Sequence, residues 1–358
     1  MKKLLFIAAI AGAALVSCTK NEVAPVAEQQ EITFAAPVVG PQTKAIPGEL
    51  TGAAYPVGEN FNVYGVWHSG DFAGWASSSL YMDDVKTTYD DTFNGWRPND
   101  RHYWPKNGQM TFAAYSPSDV NAASHSYAAN GLTLVGFQVE ADAKNHVDVL
   151  YSKRSYNKEK TSTDNVNTPY DEVDIDFMHA LSSIQFTAKT AMNYGTTEIK
   201  LKKIAVYGVY SKGDFVENVD ETTPGTYQAT PTWLSHDAYN QIVDKTAAYV
   251  YYNNATGQTL SDAKWVMNGQ ANQTDLICLP QTLPTSATVV VTYSINPPAA
   301  TTPEVDITLE TTIDALSTDV WEPGKRYTYN LTIGLDEIYF APEVTDWVEE
   351  VSVDIPTI

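Results

Sequence analysis

Residues 327–333 read Tyr327-Thr328-Tyr329-Asn330-Leu331-Thr332-Ile333, with an aromatic or aliphatic residue at every second position and a polar one between. Side chains of an extended chain alternate between two faces. This stretch therefore predicts a strand with one face in a core and the other in water. The same period recurs on both sides of it, at Val289/Val291/Tyr293/Ile295, Val305/Ile307/Leu309 and Val351/Val353/Ile355. Earlier in the chain it appears at Ile184/Phe186/Ala188, Val173/Ile175/Phe177, Val147/Val149/Tyr151 and Phe61/Val63/Trp67, the last set around Gly65. It first appears at Ile32/Phe34/Ala36/Val38. One-sided alternation belongs to antiparallel sheets with one face buried. Helical spacing is weak and confined to 118–129 and 236–248. With 20 Gly and 19 Pro as punctuation and 22 tyrosines favouring pleated surfaces, the pattern predicts an all-β chain of sandwiches. No short-period repeat suggests a solenoid or propeller.

The N-terminus sets the address. Lys2 and Lys3 precede an apolar run from Leu4 to Leu15, too short to span a bilayer but suited to a secretory signal. The run ends in Leu15-Val16-Ser17-Cys18, which predicts removal of residues 1–17 and lipidation of Cys18. Several acyl chains on one cysteine anchor a protein durably, here in the outer membrane. Residues 18–30 lack an apolar pattern and read as a flexible tether. The other cysteine, Cys278, sits in Leu276-Ile277-Cys278-Leu279 and reads as a small buried hydrophobe without a disulfide partner.

Loss of residues 1–17 leaves 20 of the 22 basic residues against all 43 acidic ones, a net charge of −23. Such a chain is a poor partner for nucleic acid, whose phosphates need a basic stripe. Length suggests two domains, 31–178 and 179–358, divided after the polar stretch 157–176.

A search for chemistry finds no nucleophile elbow, zinc helix, phosphate loop or C-x-x-C pair. The six histidines (68, 102, 125, 146, 179, 236) are scattered, and His179 reads as a satisfied core or turn residue. Asp171-Glu172-Val173-Asp174-Ile175-Asp176 reads as a strand with one wet, acidic face. The segment from Trp96 to Pro105 reads either as a sugar-stacking platform or as a loop with its tryptophans in the core. No catalytic residue, metal or cofactor is expected.

Several segments together carry a family resemblance. They are the Cys18 lipobox, Glu31-Ile32-Thr33-Phe34, Thr43-Lys44-Ala45, Asn60-Phe61-Asn62-Val63-Tyr64-Gly65 and Tyr103-Trp104-Pro105. Met110-Thr111-Phe112-Ala113-Ala114-Tyr115, Asp176-Phe177-Met178-His179-Ala180-Leu181-Ser182, the segment Trp321 to Tyr329, and Thr345-Asp346-Trp347 follow in order. In this arrangement the chain resembles the Bacteroidetes fimbrillins, subunits of type V pili. The resemblance implies two transthyretin-like antiparallel β-sandwich domains, no enzymatic activity, and other pilin subunits as partners. It also implies that a trypsin-like protease cuts after Lys44, freeing Ala45 and excising the strand of Ile32, Phe34, Ala36 and Val38. A neighbour's strand then fills the groove. Val351, Val353 and Ile355 are candidates for that donor strand, or residues 337–358 complete their own domain. A monomeric surface lipoprotein or pilus anchor that binds a host glycan or protein through its loops is the alternative.

Overall fold

The computed structural model describes residues 30–40, 55–76, 79–159, 172–223, 225–234, 241–242, 244–262, 275–296, 304–313, 320–335 and 338–347. Among them the repeating element is the β-strand. Strand Lys325–Ile333 buries Tyr327, Tyr329, Leu331 and Ile333 while the residues between them are half-exposed, as alternation requires. It pairs antiparallel with Ile338–Asp346 but parallel with Ser182–Thr190. The parallel pair departs from the wholly antiparallel expectation. Its strands are joined by a long excursion through other sheets, so no hairpin turn dictates their direction.

Strand Leu276–Cys278 completes this sheet at its other edge. A second four-stranded sheet has the order Tyr249–Thr259, Glu198–Tyr207, Thr288–Asn296, Val305–Thr312. The two sheets meet through Phe186, whose ring lies 5.0 Å from Tyr251 and 5.4 Å from Tyr329. The Tyr251 hydroxyl donates to the Phe186 carbonyl at 3.1 Å, so the phenol is satisfied inside the core.

A third sheet has the order Thr232–Leu234, Lys212–Val216, Gly131–Gln138, Ser124–Ala128. Pairing thus runs across residues 178 and 179, where the sequence places a domain boundary. Leu132, Leu134 and Phe137 are buried, and Phe215 and Trp233 from beyond that boundary belong to the same core. The weak helical spacing at 118–129 is strand at Ser124–Ala128, because Gly131–Gln138 offers it a full antiparallel ladder. Of 236–248, Lys245–Ala247 is a single 3₁₀ turn.

The largest sheet is built from the first half of the chain. Its order is Glu172–Val173, Thr33–Phe34, Gly95–Pro98, Leu80–Asp90, Asn60–His68, Gln109–Ser116, Leu150–Ser152, Asp176–His179, Val38–Val39. The two ends of this order belong to the same pair of chain segments. Residues 33–39 pair in parallel with 172–177 at both places, so the sheet closes on itself. Its interior holds Phe34, Phe61, Val63, Trp96, Phe112 and Phe177, among others. Its outer face carries Tyr64 and Tyr115 into the main core, with Tyr64 stacked 5.3 Å from Tyr127. Asn60–His68 is therefore buried on both faces, where alternation around Phe61 and Val63 predicts one wet face. Asn62 is accommodated because its amide donates to Asp84 (2.8 Å) and to the Tyr115 hydroxyl (3.0 Å).

Candidate functional site

Residues 30–40 form the strand that closes the largest sheet. On one side Phe34 pairs with Trp96, the Ile32 amide donates to the His102 carbonyl (2.8 Å), and the Trp104 amide donates to the Gln30 carbonyl (2.9 Å). On the other side the amides of Ala35, Val38 and Gly40 donate to the carbonyls of Val173, Ile175 and Phe177, at 2.9–3.1 Å. The alternating acids of 172–176 behave as read: Val173 and Ile175 are buried, while Glu172, Asp174 and Asp176 face water. Their strand is the parallel partner of the closing strand.

The closing strand is not regular. Phe34 is opposite Val173 and Val38 opposite Asp176, so four steps on one strand face three on the other. The extra residue lies at 35–37, and Pro37 there has no amide proton to contribute. Such a bulge reverses which side chains point inward. Ile32 and Phe34 are fully buried, but Ala36 is exposed, Val38 is half-exposed and Val39 takes the inner position. The face expected as Ile32, Phe34, Ala36 and Val38 is corrected to Ile32, Phe34 and Val39.

Phe34 is the anchor. Its ring meets Phe61 at 5.9 Å and Phe112 at 5.8 Å, both edge to face. Burial of Ile32, Phe34 and Val39 is worth ~5–9 kcal/mol by area, before the ladder adds to it. Glu31 supplies a charge. Its carboxylate is nearly buried and accepts from Arg97 Nε at 3.1 Å and from Arg101 Nη1 at 2.7 and 2.9 Å. Arg97 makes a further close contact to Glu31 and pairs with Asp90 at 3.2 Å, its guanidinium 4.6 Å over Phe93. The sequence places these arginines in an aromatic loop, whereas in the fold they hold the first strand.

That aromatic segment is core. Trp96 and Trp104 are buried, as is Trp75, while Trp67 stays partly exposed and ties its indole N–H to the Asn107 carbonyl at 2.9 Å. The tryptophans do not converge on a platform. His179 is buried and its Nδ1 lies 2.6 Å from Asp148 Oδ2, with Trp347 stacked on the ring at 3.9 Å. It is a satisfied core histidine. Burial also pushes the Cys278 thiol far up, which makes it inert. Cys18, Lys44, Ala45, Val351, Val353 and Ile355 lie outside the described residues.

A family profile described as fimbrillin-like matches residues 51–347. The chain belongs to the fimbrillin-like family. Membership makes it a structural fimbrial protein of the cell surface rather than an enzyme. Among solved structures, this fimbrillin-like chain is similar to a fimbrial protein from Bacteroides vulgatus, with 17% identity and a TM-score of 0.55, covering 88% of this chain and 100% of the other. That likeness supports the fold. A putative cell adhesion protein from Bacteroides uniformis matches at 14% identity and a TM-score of 0.48, covering 90% and 100%. No curated protein matches. The profile begins after the closing strand and stops at Trp347, so both of the fimbrillin-like chain's candidate exchange segments lie outside it.

Proposed function

We propose that the chain is a stalk or tip subunit of a type V pilus that serves adhesion and assembles by strand exchange. It is exported under its signal peptide, lipidated at Cys18 and anchored by that lipid in the outer membrane. A trypsin-like protease then cuts after Lys44, and other pilin subunits supply the strand that replaces residues 30–40. The two-domain plan of transthyretin-like sandwiches belongs to this reading, with the sheet of 124–138 and 212–234 shared between them.

The observation that carries it is the closure of the largest sheet. Residues 30–40 are bonded on both sides inside a closed core, yet their link to the rest of the fold is the stretch 41–54, whose Gly40-Pro41-Gln42-Thr43-Lys44 start suits a protease. Once that link is cut, the strand is held by noncovalent contacts alone. Its removal leaves a lengthwise groove of unpaired main chain, which a second strand satisfies by β-augmentation.

Limited trypsin treatment of the mature protein tests this, read by mass spectrometry and gels. An early cut after Lys44, release of residues 18–44 and ladders of stable oligomers are expected. A chain that resists cutting at Lys44, or that is cut and stays monomeric without releasing the segment, overturns the proposal.

A further inference from the structure

The C-terminal stretch of the sequence repeats the pattern of the closing strand. Residues 31–39 read Glu-Ile-Thr-Phe-Ala-Ala-Pro-Val-Val, and 350–358 read Glu-Val-Ser-Val-Asp-Ile-Pro-Thr-Ile. The glutamates and prolines match at the same spacing. Glutamate, a large apolar residue, Ser or Thr, and a second large apolar residue occur in succession at these two places and nowhere else in the chain. The likeness follows burial. Ile32, Thr33, Phe34 and Val39 are buried, and their counterparts are Val351, Ser352, Val353 and Ile358. The unlike pairs fall where the first strand is less buried, with Asp354 at half-buried Ala35 and Ile355 at exposed Ala36.

We infer that residues 350–358 of a second copy of this chain take the place of residues 31–39, position for position and in the same direction. Arg97 and Arg101 hold Glu350. This rests on the strand-exchange reading and adds its register, its partner and the charge that fixes it.

Three observations support the register. The first is the bulge. A proline in a strand removes a ladder bond, but at position 37 the seat asks for no donor: the Pro37 carbonyl accepts from the Tyr55 amide at 3.1 Å, and the neighbouring donors are Ala35 and Val38. Pro356 falls at that position, and Asp354 and Thr357 supply the flanking amides. The second is charge. Without Glu31, Arg97 and Arg101 keep Asp90 as their carboxylate partner, at 3.2 and 3.7 Å. Two partly desolvated guanidiniums on one carboxylate favour an incoming acid. A one-residue slip one way would place Val351 at the clamp, and the other way would place Glu350 at the buried position of Ile32, so both wrong registers are penalised.

The third is reach. The Trp347 carbonyl oxygen lies 3.9 Å from where a Cβ on Gly40 would sit, so the chain leaves its last described residue beside the Gly40 end of the seat. The clamp is at the Glu31 end, on the order of 25 Å away at strand rise. Three residues from 347 to 350 span at most about 10–11 Å. The tail therefore cannot fill its own seat in this register. A second copy, with its Trp347 near the Glu31 end, can, and that makes the assembly head to tail.

The test uses the trypsin-cut mature protein with a synthetic peptide of residues 347–358. The peptide is expected to displace the 18–44 segment, with Glu350→Lys weakening it at least tenfold. The protein carrying Arg97→Glu and Arg101→Glu should reverse that preference. A peptide with Thr357→Cys should form a disulfide with Asp176→Cys protein, since Val38 is opposite Asp176. Binding that ignores the charge swap, or cross-linking in the reverse orientation, overturns the register while leaving strand exchange standing. Full-length chain that forms ladders equally well with Glu350→Lys does the same. A cut chain that forms no ladders and takes up no peptide overturns both.

Discussion

Replacing Phe34 by alanine gives the most direct measure of how firmly the first strand closes the sheet. The ring is fully buried, with edge-to-face contacts to Phe61 and Phe112. Truncation of a buried phenylalanine costs about 3–5 kcal/mol, because transfer and cavity terms add and the cavity lies between two rings that a closed sheet cannot bring together. If the strand opens locally, that loss falls on local opening. Amides of Ala35, Val38 and Gly40, which bond to carbonyls of the 173–177 strand, should then exchange with solvent faster by roughly two to three and a half decades. Native-state hydrogen exchange by mass spectrometry on a peptide covering 30–40 reads this, and urea unfolding gives the global loss. Ala36→Ser is the control at an exposed position and should stay within about 0.5 kcal/mol. Less than a tenfold change for Phe34→Ala, or parity with the control, would refute the claim that the first strand is a core element.

Because the bulge moves Val39 inward, Val39→Ala should cost about 2 kcal/mol and Val38→Ala clearly less; equal losses in thermal melts would argue for an unbroken strand. Arg154 is fully buried, pairs with Glu221, donates from Nη2 to the Ala128 and Ala129 carbonyls at 2.9 Å and lies 4.8 Å over the Trp75 ring. Arg154→Ala leaves a carboxylate without its cation and should cost about 3–5 kcal/mol in urea denaturation. Burial raises the Glu217 carboxyl to about 7, against its accepted bonds from the Leu132 amide and the Tyr227 hydroxyl. An acid raised on folding stabilises most when protonated, so its contribution is present below pH 4.5 and is lost as pH climbs through 7. Burial lowers His146 to about 4, which gives the opposite slope over an overlapping window. The clean observable is therefore a difference: Glu217→Gln should gain on the natural chain by about 3 kcal/mol between pH 4.5 and 8, measured from paired urea titrations. Cys278, in chain lacking residues 1–18, should give no reaction with a thiol reagent until the protein is unfolded.

Much of this architecture was legible from period-two spacing. Tyr327 to Ile333 and the Glu172–Asp176 run place their side chains as the pattern requires, since each lies in a strand with one wet face. The pattern misled where a second layer covers that face. Asn60–His68 looks half-polar because Asn62 occupies a core position, and the Asp84 and Tyr115 groups that accept from its amide lie 22 and 53 residues away in sequence. Alternation alone could not locate the bulge at 35–37, although Pro37 is the residue that marks it. The grip on Glu31 was hidden for the same reason. Arg97 and Arg101 lie 66 and 70 residues away in sequence, and only the closed sheet brings them to it.

The parallel pairing of the first strand also bears on the order of folding events. Thr33 and its partner Glu172 are separated by 139 positions. Contacts that distant carry a large chain-closure entropy and form late, after nearer hairpins such as Asn60–His68 with Leu80–Asp90 have condensed. During synthesis at about 5–20 residues per second, the first strand is made many seconds before its mate exists. The cost of seating it is paid in search time. A tethered strand wins that search by its high local concentration. On the strand-exchange reading proposed above, cutting the tether removes that advantage, and a strand of matching pattern on a sibling chain then competes for the seat on equal terms.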